Sequence, residues 1–151
     1  MKIRSLFAIA LGMFTSSASA RIGETAEQIL TRYGQGKKVE DRLIATGAET
    51  WKYDKGDFNI EVVFINGVSA WEIFSRKGKL LSDDDIKDLL KVNTIEATSW
   101  RYDRRENRWE RGGRPKLFAY KEPGHPEQFS IRDPALIEAA EKKNEIEKSG
   151  F

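Results

Sequence analysis

The chain has no cysteine, which excludes disulfides, thiolate nucleophiles and cysteine-ligated metal sites. His125 is its only histidine, so His-rich zinc sites and His-pair chemistry are excluded as well. Proline is scarce and clustered: all four prolines lie between positions 115 and 134. No phosphate loop, zinc motif or serine elbow is present. Long apolar runs are missing. The longest uncharged stretch, Ser5–Ala20, has 16 residues, the last six not apolar; a membrane-spanning helix needs about 20. Charge of one sign is not in surplus either. Of 26 basic residues against 24 acidic ones, Lys2 and Arg4 fall in the first twenty positions, so residues 21–151 carry 24 of each. A domain with no net charge has no global attraction for phosphate backbones. The 151 residues make room for one ordinary domain and not for two large ones.

Within the first twenty residues the order is informative. Met1–Arg4 is a short basic head, Leu6–Phe14 an apolar run of nine, and Thr15–Ala20 a small, polar tail ending in Ala18-Ser19-Ala20. That three-part layout is the pattern of a secretory signal peptide, with cleavage expected after Ala20 and Arg21 as the new N-terminus. The expectation is a soluble periplasmic or secreted protein, with no transmembrane anchor after signal cleavage. With no cysteine to staple it, the fold must stand on its apolar core alone.

The remainder reads as short helices and strands. Thr25 and Gln28 have capping-box spacing ahead of an apolar stripe of Ala26, Ile29, Leu30 and Tyr33, closed by Gly34. Residues 35–47 are weakly patterned and read as loop, with a brief strand or turn near Leu43. Glycines 56, 67 and 78 recur every 11 residues, which suits a strand meander. Asn66-Gly67 is the favoured pair for a type I′ hairpin turn. Pairing outward from it sets Phe64 against Ser69, Val62 against Trp71 and Ile60 against Ile73. A Lys55-Gly56 turn sets Tyr53 against Phe58 and Trp51 against Ile60. Both turns gather Trp51, Tyr53, Phe58, Ile60, Val62, Phe64, Trp71 and Ile73 onto one face. The other face, with Glu61 opposite Glu72, is mixed. Ser82 caps a second helix, Asp83, Asp84 and Asp85 sit at its positive end, Ile86, Leu89 and Leu90 point inward, and Asn93 stops it. Trp100-Arg101-Tyr102-Asp103-Arg104 echoes Trp51-Lys52-Tyr53-Asp54-Lys55 forty-nine residues earlier. A four-residue loop at Arg104–Asn107 pairs Tyr102 with Trp109, and a strand follows at Lys116–Tyr120. Glu122–Gln128, with two prolines, reads as loop, Phe129 and Ile131 as a short edge strand, and Asp133-Pro134 as the start of a third helix reaching about Lys148.

The expected fold is α+β: short helices packed on an antiparallel five- to six-stranded sheet, plus a C-terminal helix. The echo suggests two helix–sheet repeats over 21–80 and 81–132, with a C-terminal helix and tail over 133–151.

Gly23-Glu24-Thr25-Ala26-Glu27-Gln28-Ile29, closing with Tyr33-Gly34, resembles the opening of small exported domains of the SmpA/OmlA outer-membrane assembly lipoprotein type. It is also similar to the repeats of β-lactamase inhibitory proteins. The resemblance covers about a dozen residues and implies a helix ending at glycine, then an antiparallel sheet, in a non-catalytic binding domain. The chain lacks the cysteine by which the lipoproteins are lipidated. It also looks like the short secreted proteins common in some environmental bacteria, a likeness that implies no activity.

Enzymatic candidates are thin. His125, between prolines and near Glu122 and Glu127, is the one histidine base on offer, and exposure explains it as well. Glu61 and Glu72, expected about 5 Å apart across neighbouring strands, would suit a glycan hydrolase; open sheet faces are rich in glutamate without it. Capping explains Asp83–Asp85 without a metal. No cofactor is expected. Binding has the stronger signal. Residues 101–116 carry seven basic side chains against three acids, with Trp100, Tyr102 and Trp109 interleaved. Arginine among aromatics is the composition of interaction hot spots. The predicted binding surface is Trp100, Arg101, Arg104, Arg105, Arg108, Trp109 and Arg111. Its expected partner is an acidic protein or an anionic envelope component, and not nucleic acid, because the chain is exported. The competing reading is a solvated hairpin whose aromatics belong to the core of a secreted structural domain without a ligand. Helix cover is the discriminator. If Trp51, Tyr53, Trp71, Trp100 and Trp109 line a sheet face that the helices leave open, that face is a protein-binding surface; if the first two helices cover it, the aromatics are core and the outer, mixed face becomes the surface of interest.

Overall fold

A computed structural model of the chain describes residues 21–94 and 98–150. The expected export signal, residues 1–20, lies outside the described residues. Helix α1 (Ala26–Tyr33) opens with the reciprocal Thr25–Gln28 capping box and buries Ile29 and Tyr33. Four strands follow: β1 (Lys37–Val39), β2 (Ala48–Lys55), β3 (Phe58–Ile65) and β4 (Val68–Arg76). Helix α2 (Asp83–Val92) opens with a second capping box, Ser82 with Asp85, buries Ile86 and Leu90, and stops at Asn93. Four more strands complete the sheet: β5 (Trp100–Asp103), β6 (Arg108–Arg111), β7 (Leu117–Glu122) and β8 (His125–Arg132). Helix α3 (Pro134–Ser149) starts where Asp133 accepts a hydrogen bond from the Leu136 amide, with proline at its first position.

All eight strands form one antiparallel sheet in the order β1-β2-β3-β4-β8-β7-β6-β5. The order runs inward from both ends, so the two helix-then-four-strand stretches meet at β4 and β8. The expected count of five or six strands is therefore too low, for two physical reasons. Strand β1 is only three residues, Lys-Lys-Val, with no alternation to announce it. Strand β8 begins inside the proline-rich stretch expected to be loop. Pro126 is tolerated there because β7–β8 pairing skips between Lys121 and Glu122, and pairing with β4 reaches only as far as Gln128. Proline's missing N–H falls where neither neighbour requires it. Nor is β8 an edge strand: it lies at the centre, with Phe129, Ser130 and Ile131 fully buried.

One register expectation also fails. Asn66 and Gly67 both take positive φ, and Phe64 faces Ser69 as the hairpin turn demands. The pairing then shifts, so that Val63 faces Trp71, Glu61 faces Ile73 and Ile60 faces Phe74. Ala70 is the extra residue on β4, and its carbonyl accepts the Asp133 amide at 2.8 Å. One additional residue moves every later side chain of the strand to the opposite face. Trp71 and Ile73 thus leave the face holding Trp51 and Ile60, and Glu72 and Phe74 replace them. At the other hairpin the tight turn is Gly56-Asp57, so Tyr53 faces Ile60 and Trp51 faces Val62. That displacement is even, and the faces survive it.

The inner face carries the main core, where Ile29 and Tyr33 of α1 and Ile86 and Leu90 of α2 meet Tyr53, Ile60, Val62, Phe64, Phe74, Leu117, Phe129 and Ile131. The segment before α1 is sewn to β4 by Gly23 N–H to Ser69 O and Ser69 N–H to Glu24 O, each 2.8 Å. On the outer face a smaller cluster joins Leu43, Val63, Ile65 and Ala70 to Ile137 and Ala140 of α3. No helix among the described residues is long and apolar enough to cross a membrane.

Candidate functional site

The alternation of β5 and β6 divides the predicted surface. Tyr102 faces Trp109 across the Arg104–Asn107 loop, with ring centroids 4.8 Å apart. Trp109 meets Phe129 edge-on at 5.6 Å, in the inner core. Trp100 turns the same way, and its indole N–H donates to the Leu90 carbonyl at the end of α2, 2.7 Å away. Arg111 is only 3 % exposed, and its guanidinium donates to the carbonyls of Asn93 and Pro115. Burial pulls its pKa below the ordinary arginine value. Arg111 is therefore a buried structural residue, and Trp100 and Trp109, half-buried, lie on the inner face against the core. Arg101 and Arg108 fall on the outer face. Arg104 and Arg105 stand exposed in the loop, where the Asp103 carboxylate accepts the Arg105 amide at 2.9 Å. Trp51, Trp100 and Trp109 pack against the inner core while Tyr102 at its edge stays 44 % exposed, and the outer face is the remaining candidate surface.

Over β5–β8 the outer face is built by the residues between the inner ones: Arg108 and Glu110 on β6, Phe118 and Tyr120 on β7, Arg132 on β8, with Trp71 on the adjoining β4. These rings are roofed by cations. The Arg108 guanidinium lies 3.9 Å from the Phe118 ring centre and Lys116 Nζ 4.9 Å from it. Glu110 holds both cations, at 2.8 Å and 3.1 Å, and their hydrogen bonds hold its carboxyl below the usual carboxylate range. The Arg132 guanidinium lies 4.5 Å from the Tyr120 ring centre and 5.8 Å from that of Trp71. A depression of about 220 Å³ is lined by Asn107, Arg108, Tyr120 and Arg132 among others. Trp71, Lys116, Phe118, Tyr120 and Arg132 were absent from the predicted set. Alternation from Trp109 would have placed Phe118 and Tyr120 outward, because Trp109 faces Ala119. Reading residues 122–128 as loop hid β8, and with it the place of Arg132.

The enzymatic candidates separate. Glu61 lies on the outer face between Arg42 and Lys52; burial raises its pKa, but hydrogen bonds from both cations outweigh this and hold it low. Glu72 lies on the inner face, fully buried, and neither of its oxygens has a hydrogen-bond partner among the described residues. Burial, with repulsion from Glu24 and partial relief from Arg32, pushes its pKa up to about 8. The bulge thus places the two carboxylates on opposite sides of the sheet, and the expected pair does not exist. His125 is exposed, with Nδ1 3.2 Å from a Glu127 oxygen. Asp84 pairs with Lys87, while Asp85 holds Arg76 and Ser82. No group of three or more His, Asp or Glu suited to a metal occurs among the described residues. A larger cavity of about 340 Å³ on the inner side is walled by Tyr33, Phe58, Ile60, Phe74 and Leu89; its rim guanidinium, Arg76, is already engaged by Asp85.

Neither a family model, nor a curated protein, nor a solved structure matches the chain. The site must be read from its own geometry, and that geometry presents cations and aromatic edges rather than a reacting constellation.

Proposed function

We propose that the chain is a non-catalytic binding module of the periplasm or the cell exterior, and that the outer face of β5–β8 is its recognition surface. The observation that carries this reading is the cation-roofed pair of Phe118 and Tyr120, which lie outside the cluster closed by α3, with Trp71 at the edge of that cluster; arginine among aromatics is the composition of interaction hot spots. The basic, apolar and small-residue order of positions 1–20 supports the location. The helix-then-strands order, seen twice, agrees with the inhibitor-like resemblance of residues 23–34. A glycan hydrolase built on Glu61 and Glu72 has no geometry to rest on.

The test is capture from a bacterial envelope extract on the immobilised chain. An Arg108→Glu/Phe118→Ser double variant should lose the captured partner, whereas Lys142→Glu, on the exposed side of α3, should retain it. Retention by the double variant would remove the outer face from consideration.

A further inference from the structure

Resting on that binding role, we infer that Arg132 is the anchoring cation of the outer face and that it takes a side-chain carboxylate from an acidic segment of a protein partner. The other partly or fully buried arginines set the contrast. Arg32, Arg76, Arg108 and Arg111 are buried or half-buried, and each has an acceptor: Glu24, Asp85, Glu110, and the carbonyls of Asn93 and Pro115. Arg132 is half-buried too, but no hydrogen-bond acceptor or ion-pair partner reaches it among the described residues, and its Nε is closed off from solvent unpaired. Burying a charged donor without an acceptor is costly, and proteins seldom tolerate it without a reason. The adjacent acid offers no relief. The Asp133 carboxylate caps α3, and the cation whose field it modifies is Arg111.

The surroundings decide what fits. Trp71 and Tyr120 flank the guanidinium and its Nε is enclosed, so what remains for a ligand is the edge formed by its two terminal nitrogens, at the depression beside Arg108 and Asn107. A guanidinium presented in this way favours a planar, two-oxygen acceptor. Arg132 and Lys121, which lines the same depression without an ion-pair partner among the described residues, match the successive carboxylates of an acidic segment. Arg108 is already shared by Glu110 and Glu106, so it adds no uncommitted charge for a compact dianion such as phosphate. An acidic sugar polymer fits less well than a peptide. Pyranose rings stack on bare aromatic faces, and here guanidinium or ammonium groups lie over Phe118 and Tyr120.

The experiment is calorimetric titration of the full chain with hexaglutamate, an oligogalacturonate and inorganic phosphate. Variants are Arg132→Gln, Arg132→Lys and Lys142→Gln, each with its tryptophan circular dichroism checked against the parent. Hexaglutamate should bind the parent more tightly than the other two probes. Arg132→Gln should weaken it about tenfold or more. Arg132→Lys, a point charge without the fork, should fall between. Lys142→Gln, on the exposed side of α3 and outside the recognition face, should change affinity by less than about twofold. Equal weakening by the Arg132 and Lys142 variants would overturn the anchor and leave only non-specific attraction of charge. Tighter binding of the oligogalacturonate or phosphate would overturn the acidic-protein partner. Absence of hexaglutamate binding to the parent would overturn the proposal outright, while envelope capture lost on Arg108→Glu/Phe118→Ser would still uphold the binding face itself.

Discussion

The two halves of the sheet share a strand order and differ in what lies over their outer faces. Over β3 and β4 that cover is helix α3, whose Ile137 and Ala140 close on Val63, Ile65 and Ala70. Over β6 and β7 no helix among the described residues joins such a cluster, and the rings of Phe118 and Tyr120 are covered instead by arginine and lysine side chains from neighbouring positions. A long cationic side chain can shield apolar surface with its stem while keeping its charge in reach of solvent. The second half thus solves the same burial problem with movable, charged material, and movable cover is what a partner can displace or exploit.

The sharpest way to break this comparison is to remove one ring from each layer. Phe129 is fully buried between the helices and the sheet, so Phe129→Ala should cost about 3–5 kcal/mol. Phe118 is half-buried under its cations, and Phe118→Ala should cost about 1 kcal/mol. Urea unfolding of both variants gives the two numbers directly. Equal costs would mean that the outer layer is as much a core as the inner one, and the proposed surface would lose its basis.

A second difference concerns unpaired charge. On the outer face Glu110 is held between two cations, whereas on the inner face Glu72 has no hydrogen-bond partner among the described residues. The Glu72 pKa of about 8 lies above the ordinary value of 4.5. The folded chain therefore binds this proton more tightly than the unfolded chain. Its contribution is fully present below about pH 4.5, declines as pH rises, and is lost above about pH 8. Between pH 5 and 7 the decline is roughly 3 kcal/mol. Glu72→Gln removes that slope. Thermal midpoints of parent and variant should diverge with pH, the variant gaining on the parent as pH rises. Parallel midpoints over that range would show that Glu72 is ionised or solvated in the folded chain.

These contrasts were unequally legible in the sequence. The three helix starts were readable because caps are local: Thr25 with Gln28, Ser82 with Asp85, and Asp133 before Pro134 each satisfy orphan amides within one turn. The Asn66-Gly67 turn and the Tyr102–Trp109 pair were readable for the same reason. The bulge at Ala70 was not. It is fixed by the hydrogen bond from Asp133, sixty-three residues away, and alternation of apolar residues along β4 runs equally well in either register. Strand β8 was hidden by Pro126, because a proline can sit in a strand if the neighbours leave its position unpaired, and the sequence does not record who the neighbours are. The site suffered from both faults. Its arginine-aromatic character was visible, but strand alternation sent Trp100, Trp109 and Arg111 inward, and Arg132 entered only once β8 was in place.

The smallest expected effect tests whether the charged cover holds its rings or merely lies over them. Arg108 contacts both Phe118 and Glu110, so neither single variant isolates the ring contact. A double-mutant cycle with Arg108→Gln and Phe118→Leu does, because the Glu110 contribution is lost in both arms that lack the arginine. The coupling should be about 0.5–1 kcal/mol. It should also survive 1 M salt better than the exposed Lys142–Glu138 pair on α3, worth about 0.3–0.5 kcal/mol at low salt, because Arg108 is partly withdrawn from water. A coupling indistinguishable from zero would leave Phe118 covered only by chance of length. The difference between the two halves would then reduce to the position of α3, with no attraction of cation for ring for a partner's carboxylates to compete against.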